Sequence, residues 1–380
     1  MSRRTLHRDG GGDALLVLLP GFLNTPAAYA DLLAPLTAHG TTVVVGAPNM
    51  NVGAAATGAA YVYHFDGSAW TLQQELVPSV RTNGARFGTS VDLEDDTAVV
   101  GEPGGSGGAR VFTRSGSVWT QQQALTVSGS VTGWDSGHSV ALSGQTAVIG
   151  APGATASAVA NAGSARVFTR SGATWTQQQA LQAAVPTATR RFGSDVAIDA
   201  DTVVIGIPGT AGLVTETEGG AAVFTRSGAT WTQQQELVVG GLAIGDLVGW
   251  AVAVEGDVAA VTAPGDDGPE FNRGATYTFS RSGAVWSSAG KLQPVSTAAY
   301  QYAYDVTLDD GSLTFATPEA GVPFESSGGF ETRTWSGSNW SAPIVTLPVM
   351  DERAGDAVDV SGTLAAVGVP DGWTGGGIAG

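Results

Sequence analysis

The chain has 380 residues and carries 34 acidic against 17 basic side chains, a net charge of −17. A surface of that sign repels nucleic-acid phosphates and anionic membranes, so neither is an expected partner. There is no cysteine, which excludes disulfides and thiolate metal sites, and no apolar run approaches the ~20 residues of a membrane span.

Residues 1–40 differ in pattern from the rest of the chain. Ala14 to Leu19 is an apolar, strand-like run, and Pro20-Gly21-Phe22 is a turn. Between Thr25 and His39, apolar Tyr29, Leu32, Leu33 and Leu36 recur at helical spacing. Thr25 fits a cap, Pro26 the first helical position and Gly40 the stop. This strand, turn and helix over about 14–45 resembles the start of an α/β-hydrolase, which implies an oxyanion-hole N–H from Phe22. A rival reading is an export leader. Ser2-Arg3-Arg4-Thr5-Leu6 resembles a twin-arginine signal, Ala14 to Leu19 supplies the apolar core, and Ala28-Tyr29-Ala30 is a small-x-small cleavage site. The two readings stay open, and either makes 1–40 an N-terminal segment ahead of a second unit, 41–380.

From Thr41 onward one pattern recurs seven times. A β-branched run ends in a small residue, any residue and proline, at Pro48, Pro103, Pro152, Pro208, Pro264, Pro318 and Pro370. A tryptophan comes after it in phase, at Trp70, Trp119, Trp175, Trp231, Trp286 and Trp340. In the unit beginning at Arg191, Phe192 to Ile198 reads as a first strand closed by the turn Asp199-Ala200-Asp201. Thr202 to Ile205 is a buried strand that Gly206-Ile207-Pro208 ends. Gly220 to Arg226 and Thr230 to Leu237 are two more strands around a Ser227-Gly228 hairpin. Four strands about every 50 residues is the arithmetic of a propeller blade, which must stack on its neighbours to bury both faces. The expected fold is therefore all-β: a β-propeller of seven four-stranded blades, the last incomplete, behind a short strand-turn-helix segment.

Phe87-Gly88 before Gly101-Glu102-Pro103, and Phe192-Gly193 before Gly206-Ile207-Pro208, resemble the FG-GAP repeat of integrin α-subunit propellers and of extracellular microbial proteins. Gly150-Ala151-Pro152 fits too, behind Ser136-Gly137. The resemblance spans about 41–380 and implies binding or cell adhesion, at the cell surface or outside the cell. Integrin-type repeats can carry a calcium loop between the first two strands of a blade. Here that connection is a tight turn: Glu94-Asp95-Asp96, Ser143-Gly144-Gln145, Asp199-Ala200-Asp201 or Glu255-Gly256-Asp257. None is long enough to wrap a hard cation with five or more ligands, so no metal site is carried over.

The ends of the array do not match. The first unit lacks its Phe-Gly strand, and the seventh supplies only Ala354 to Val360 and Thr363 to Gly368. An N-terminal strand added to the last blade would close the ring. Identical tryptophans in each unit point to packing between blades, and the Gln-Gln-Gln runs to a polar outer strand. Gly104-Gly105-Ser106-Gly107-Gly108 has the letters of a nucleophile elbow but no strand-to-helix context, so it reads as a flexible loop. His7, His39, His64 and His138 share no ligand spacing. Asp266-Asp267 with Glu270 is the best cation candidate, and Asp309-Asp310-Gly311 reads as a hairpin turn. These residues name no catalytic group, cofactor or metal ligand. They point to a monomeric, non-enzymatic propeller that recognises a protein or glycan through loops such as Ala154 to Ala162 and Thr210 to Gly219. A hydrolase-derived enzyme and a structural surface spacer are the alternatives.

Overall fold

The computed structural model describes residues 14–16, 40–52, 56–66, 70–209, 219–241, 243, 245–266, 274–293, 299–300, 303–322, 325–346, 357–361 and 364–368. Among the described residues there are seven sheets and no helix.

The fourth sheet shows how one unit folds. Its inner strand, Val196–Asp199, turns through Ala200-Asp201, where Ala200 takes a left-handed φ of 48°. The second strand, Thr202–Ile207, is buried at every residue, as its β-branched run requires. The third strand, Gly220–Ser227, passes through Gly228 into the outer strand, Thr230–Leu237. All neighbours are antiparallel. The inner strand starts later than Phe192, because Arg191 (φ 58°) and Gly193 (φ 86°) bend the chain there. That bend delivers the Phe192 N–H to the Ala162 carbonyl of the preceding sheet at 3.0 Å. The same order builds the second, third and fifth sheets, over 91–125, 140–181 and 252–292. Each has a β-bulge where the third strand meets the outer one, as at Val111/Phe112 and Val223/Phe224, which deepens the blade's twist.

The remaining sheets depart from this template. In the first, Ala14–Leu16 takes the inner position and pairs parallel to Gly40–Ala47. The N-terminal strand thus hydrogen-bonds into the first sheet, not into the last as its closing role predicted. In the sixth, the strands Ser312–Val322 and Glu325–Thr334 are long and Ala299–Tyr300 adds a fifth member. The Asp310-Gly311 hairpin lies where the sequence placed it, between Val306–Asp309 and Ser312. The seventh holds Ala357–Ser361 and Leu364–Gly368. Its Ala357–Ser361 lies beside the inner strand of the sixth sheet and beside Ala14–Leu16, so the succession of sheets closes on itself as a ring. The fold is the expected all-β propeller. Pro20-Gly21-Phe22 and the helix expected over 25–39 lie outside the described residues.

The core is a series of layers between adjacent sheets. One joins Val148, Val167 and Leu181 of the third sheet to Phe192, Val203, Ile205 and Trp231 of the fourth. The next joins Val204 and Val223 to Val252, Val261 and Trp286. Trp119, Trp175, Trp231 and Trp286 are all buried in such layers, as their repeated position predicted.

Candidate functional site

Antiparallel order gives the ring two unlike ends. Inner-to-second and third-to-outer turns share one end. Second-to-third loops and outer-to-inner crossings share the other. The chemistry of the two ends differs accordingly.

At the turn end the repeated polar groups already have partners in the neighbouring sheet. Arg226 lies over the Trp231 ring at 5.3 Å. Its Nε donates to Asp201 at 2.6 Å, and Nη1 donates to Thr146 of the preceding sheet at 3.0 Å. Arg114, Arg170 and Arg281 repeat this latch with Trp119, Trp175 and Trp286. Acidic turn residues, which in a calcium loop would face an ion, instead hold the next turn. Asp199 accepts from the Gly256 N–H at 2.7 Å, Glu255 from Asp310 and Gly311 at 2.7 and 2.9 Å, and Glu94 from Gly144. Deeper in, Asp195 is 2% exposed and bridges the Val196 and Val252 N–H groups. Asp92 does the same for Leu93 and Leu142.

The glutamine runs work between sheets as well. Gln122 accepts from the Trp175 indole at 2.9 Å, and Gln121 accepts from the Ser79 N–H of the preceding sheet's exit at 2.8 Å. Gln123 pairs with the backbone of Trp175. Sequence reasoning saw only a polar outer strand, because these partners lie about 50 residues away.

The Phe-Gly and Gly-x-Pro glycines lock consecutive sheets at the loop end. The Gly108 N–H, at the start of the second sheet's third strand, donates to the Ser136 carbonyl, at the entry to the third sheet, at 2.7 Å. Gly137 has φ 92°, and a Cβ there would stand 2.0 Å from the Gly108 carbonyl oxygen. A Cβ on Gly150 would stand 2.2 Å from the Gly193 carbonyl oxygen. The motif is therefore a backbone-contact device in which each glycine makes room for the next unit.

The loop end itself is irregular. In the Ala154 to Ala162 loop, Ala154, Ala156 and Ala162 are buried, while Thr155, Ser157, Ala158, Ala160 and Asn161 are exposed. Ser157, Ala158 and Asn161 all take left-handed φ values. Of the other binding loop expected from the sequence, 210–218 lie outside the described residues. Val80, Val131 and Val185 stand exposed on the outer-to-inner crossings. Gly104 to Gly108 is a packed turn between two strands, tied through the Gly104 N–H to the Ala85 carbonyl at 2.9 Å.

Titratable groups at this end are perturbed chiefly by burial. His138 is pushed down to about 3 by burial, then by the Arg191 and Arg86 charges. Burial and a hydrogen bond to Asp266 hold the Tyr277 phenol well above its ordinary value. Lys291, the chain's single lysine, donates to the other Asp266 oxygen at 2.7 Å. Asp266, half of the cation candidate read from the sequence, thus faces an ammonium and a phenol. Asp267 and Glu270 lie outside the described residues, as do His7, His39 and Phe22. His64 and His138 belong to different sheets. Among the described residues, no three His, Asp or Glu side chains group as metal ligands, and no helix is long and apolar enough to cross a membrane.

A comparison with curated proteins finds no match. The FG-GAP repeat pattern matches residues 70–118, 119–168, 175–224 and 231–279, more than half of the chain. Each match opens in an outer strand; the first ends at Val118, where the next outer strand begins, and the other three close in the third strand of the next sheet, so the sequence repeat straddles two blades. With glycines of the Phe-Gly and Gly-x-Pro positions meeting across the four boundaries from the first sheet to the fifth, the chain belongs to the FG-GAP repeat family.

Proposed function

We propose that this propeller is a non-catalytic recognition module, of the adhesion type, that binds a protein or glycan partner outside the cytoplasm through its loop end. FG-GAP propellers are typically non-enzymatic, and the repeat is typical of extracellular proteins. The observation that carries the reading is the contrast between the two ends. The turn end is uniform, and its repeated polar side chains are occupied by neighbouring sheets. The loop end varies from sheet to sheet, and its best-defined loop holds three non-glycine residues in left-handed conformations. Such conformations cluster where a rigid frame presents a ligand-binding segment.

The test is an array of extracellular proteins and glycans, probed with the native chain and with a variant whose 155–161 segment is a Gly-Ser stretch of equal length. The expected result is a partner whose signal the variant loses while keeping its melting temperature. Equal signals from both proteins, or no signal above background, would overturn the reading.

A further inference from the structure

In the second to fifth sheets, the third-strand residue paired with Val100, Ile149, Ile205 and Val261 is Arg110, Arg166, Ala222 and Tyr277 in turn. In three of these sheets the charges around that position balance. Arg110 pairs with Glu102. Opposite Ala222, Glu236 of the outer strand pairs with Arg190 at 2.8 Å. Tyr277 and Lys291 both donate to Asp266. The third sheet has the cation without the anion. Its residue at the place of Glu102 is Ala151, and the one facing Arg166 from the outer strand is Ala180. Among the described residues no carboxylate pairs with Arg166, the exposed Asp135 included.

Arg166 is nonetheless only 8% exposed. Its Nη1 donates to the adjoining Ala165 carbonyl at 3.2 Å, and its guanidinium lies 5.9 Å from the centre of the half-buried Trp134 ring. Neither contact supplies a countercharge. Nε and Nη2 are not sealed in, since among the described residues the buried side-chain nitrogens without a partner are His64 Nδ1 and Arg110 Nε. Ser164, two residues back on the same strand face, has a buried hydroxyl with no partner. This face is rich in donors and short of acceptors.

We propose that Arg166 receives a carboxylate from outside the chain, and that it is a glutamate or aspartate side chain of a protein partner docked on the loop end. The proposal deepens the loop-end reading and rests on it. A buried guanidinium without a countercharge is costly, and a carboxylate held by paired N–H donors offsets that cost. The second sheet shows the fit within the same frame, where Glu102 brings its carboxylate to Arg110 on a slender stem. A side chain of that kind suits an opening this small, whereas a uronic acid carries its carboxylate directly on a bulky ring. The Ala154 to Ala162 loop leads into the strand that bears Arg166, and the Gly153 N–H ties its start to the Trp134 carbonyl at 3.1 Å. The recognition loop therefore borders the site. A single carboxylate also suits a chain of charge −17, which repels a strongly acidic ligand.

The experiment follows the Arg166 Nε–H and Trp134 indole N–H signals of the full chain by NMR. The probes are three end-blocked tripeptides, Gly-Glu-Gly, Gly-Asp-Gly and Gly-Gln-Gly, and galacturonate. The expected result is a saturable shift with an acidic peptide, bound at least roughly tenfold tighter than the glutamine peptide. Ala151→Glu supplies the carboxylate internally, as the second sheet does, and should abolish the response while the melting temperature holds or rises. Arg166→Gln, read at the Trp134 indole, should abolish it too, and this variant decides the matter if Ala151→Glu does not fold. Equal response to the glutamine peptide, a response to galacturonate alone, persistence in a folded variant, or no saturable shift would each overturn the proposal. The loop-end reading survives any of these if the array finds a partner that needs residues 155–161.

Discussion

Gln123 and Trp175 hold each other by two hydrogen bonds across a sheet boundary. The Gln123 Oε1 accepts from the Trp175 N–H at 2.8 Å, and its Nε2 donates to the Trp175 carbonyl at 2.7 Å. A side-chain amide thus imitates a strand for one residue, joining two sheets whose own ladders do not meet. Gln74, Gln179 and Gln235 do the same for Trp119, Trp231 and Trp286. Gln123→Ala should lower stability by about 2 kcal/mol, two partly buried hydrogen bonds lost together. Gln123→Glu, which keeps the acceptor and loses the donor, should cost less. Urea denaturation of the two variants beside the native chain checks the order.

The glycines at the Phe-Gly position, filled in the third unit by Ser136-Gly137, should tolerate no side chain. In Gly137→Ala the new methyl carbon would lie 2.0 Å from a backbone oxygen, at φ 92°. The expected loss is more than about 3 kcal/mol, from overpacking and backbone strain together. Gly144→Ala is the control: it also has positive φ, 56°, but nothing lies within 4 Å of the added carbon. Its cost should stay near about 1–2 kcal/mol. Similar melting temperatures for the two variants would refute the contact account.

These glycines show what the sequence reveals and what it hides. Proline and tryptophan in phase made the repeat, the strand count and the ring legible, because both residue types restrict where a strand can end or pack. The reason for the glycine of the Ser136-Gly137 pair was not legible, since the oxygen it accommodates belongs to Gly108 in another sheet. The Asp266 to Lys291 pair was hidden likewise, its two members 25 positions apart, one in the loop after Ala263 and the other on an outer strand. The N-terminal strand was readable as a strand at Ala14. Its parallel pairing with Gly40–Ala47 was not, because no local pattern encodes that direction.

Buried and exposed carboxylates should behave differently. Asp195 is 2% exposed and accepts from N–H groups in two sheets. Asp195→Ala strands a buried Val252 N–H and should cost about 2–3 kcal/mol. Asp201 pairs with Arg226 in solvent, its side chain 65% exposed. Asp201→Ala should cost under about 1 kcal/mol and lose even that in high salt. Melts of both variants at low and high ionic strength separate the two cases.

Calcium and EDTA should leave the melting temperature unchanged. The turn carboxylates of Glu94, Asp199 and Glu255 accept from N–H groups of the next sheet along the ring. An ion would have to displace those bonds from turns too short to wrap it. A calcium-dependent rise in melting temperature, measured by calorimetry, is the contrary outcome.

His138 should make the fold acid-sensitive. The unfolded chain protonates this imidazole near 6.5, whereas burial beside Arg191 and Arg86 keeps the folded one neutral down to about 3. The unfolded state binds the extra proton between those values, so the contribution is whole above pH 6.5 and is lost as pH falls toward 3. Carboxylates titrate in the same window, and comparison with His138→Asn subtracts them. The variant should show a shallower decline in stability between about pH 7 and 4.

The Gln123 to Trp175 grip has one more consequence, for how such a ring can change. Every bond of this kind joins a unit only to its immediate neighbour, and the same residues recur at each boundary from Gln74–Trp119 to Gln235–Trp286. A unit cut out or copied in phase therefore meets compatible surfaces on both sides. The repeat is a cassette, and duplication or deletion of DNA segments about 50 codons long could alter a loop set without rewriting the frame that carries it.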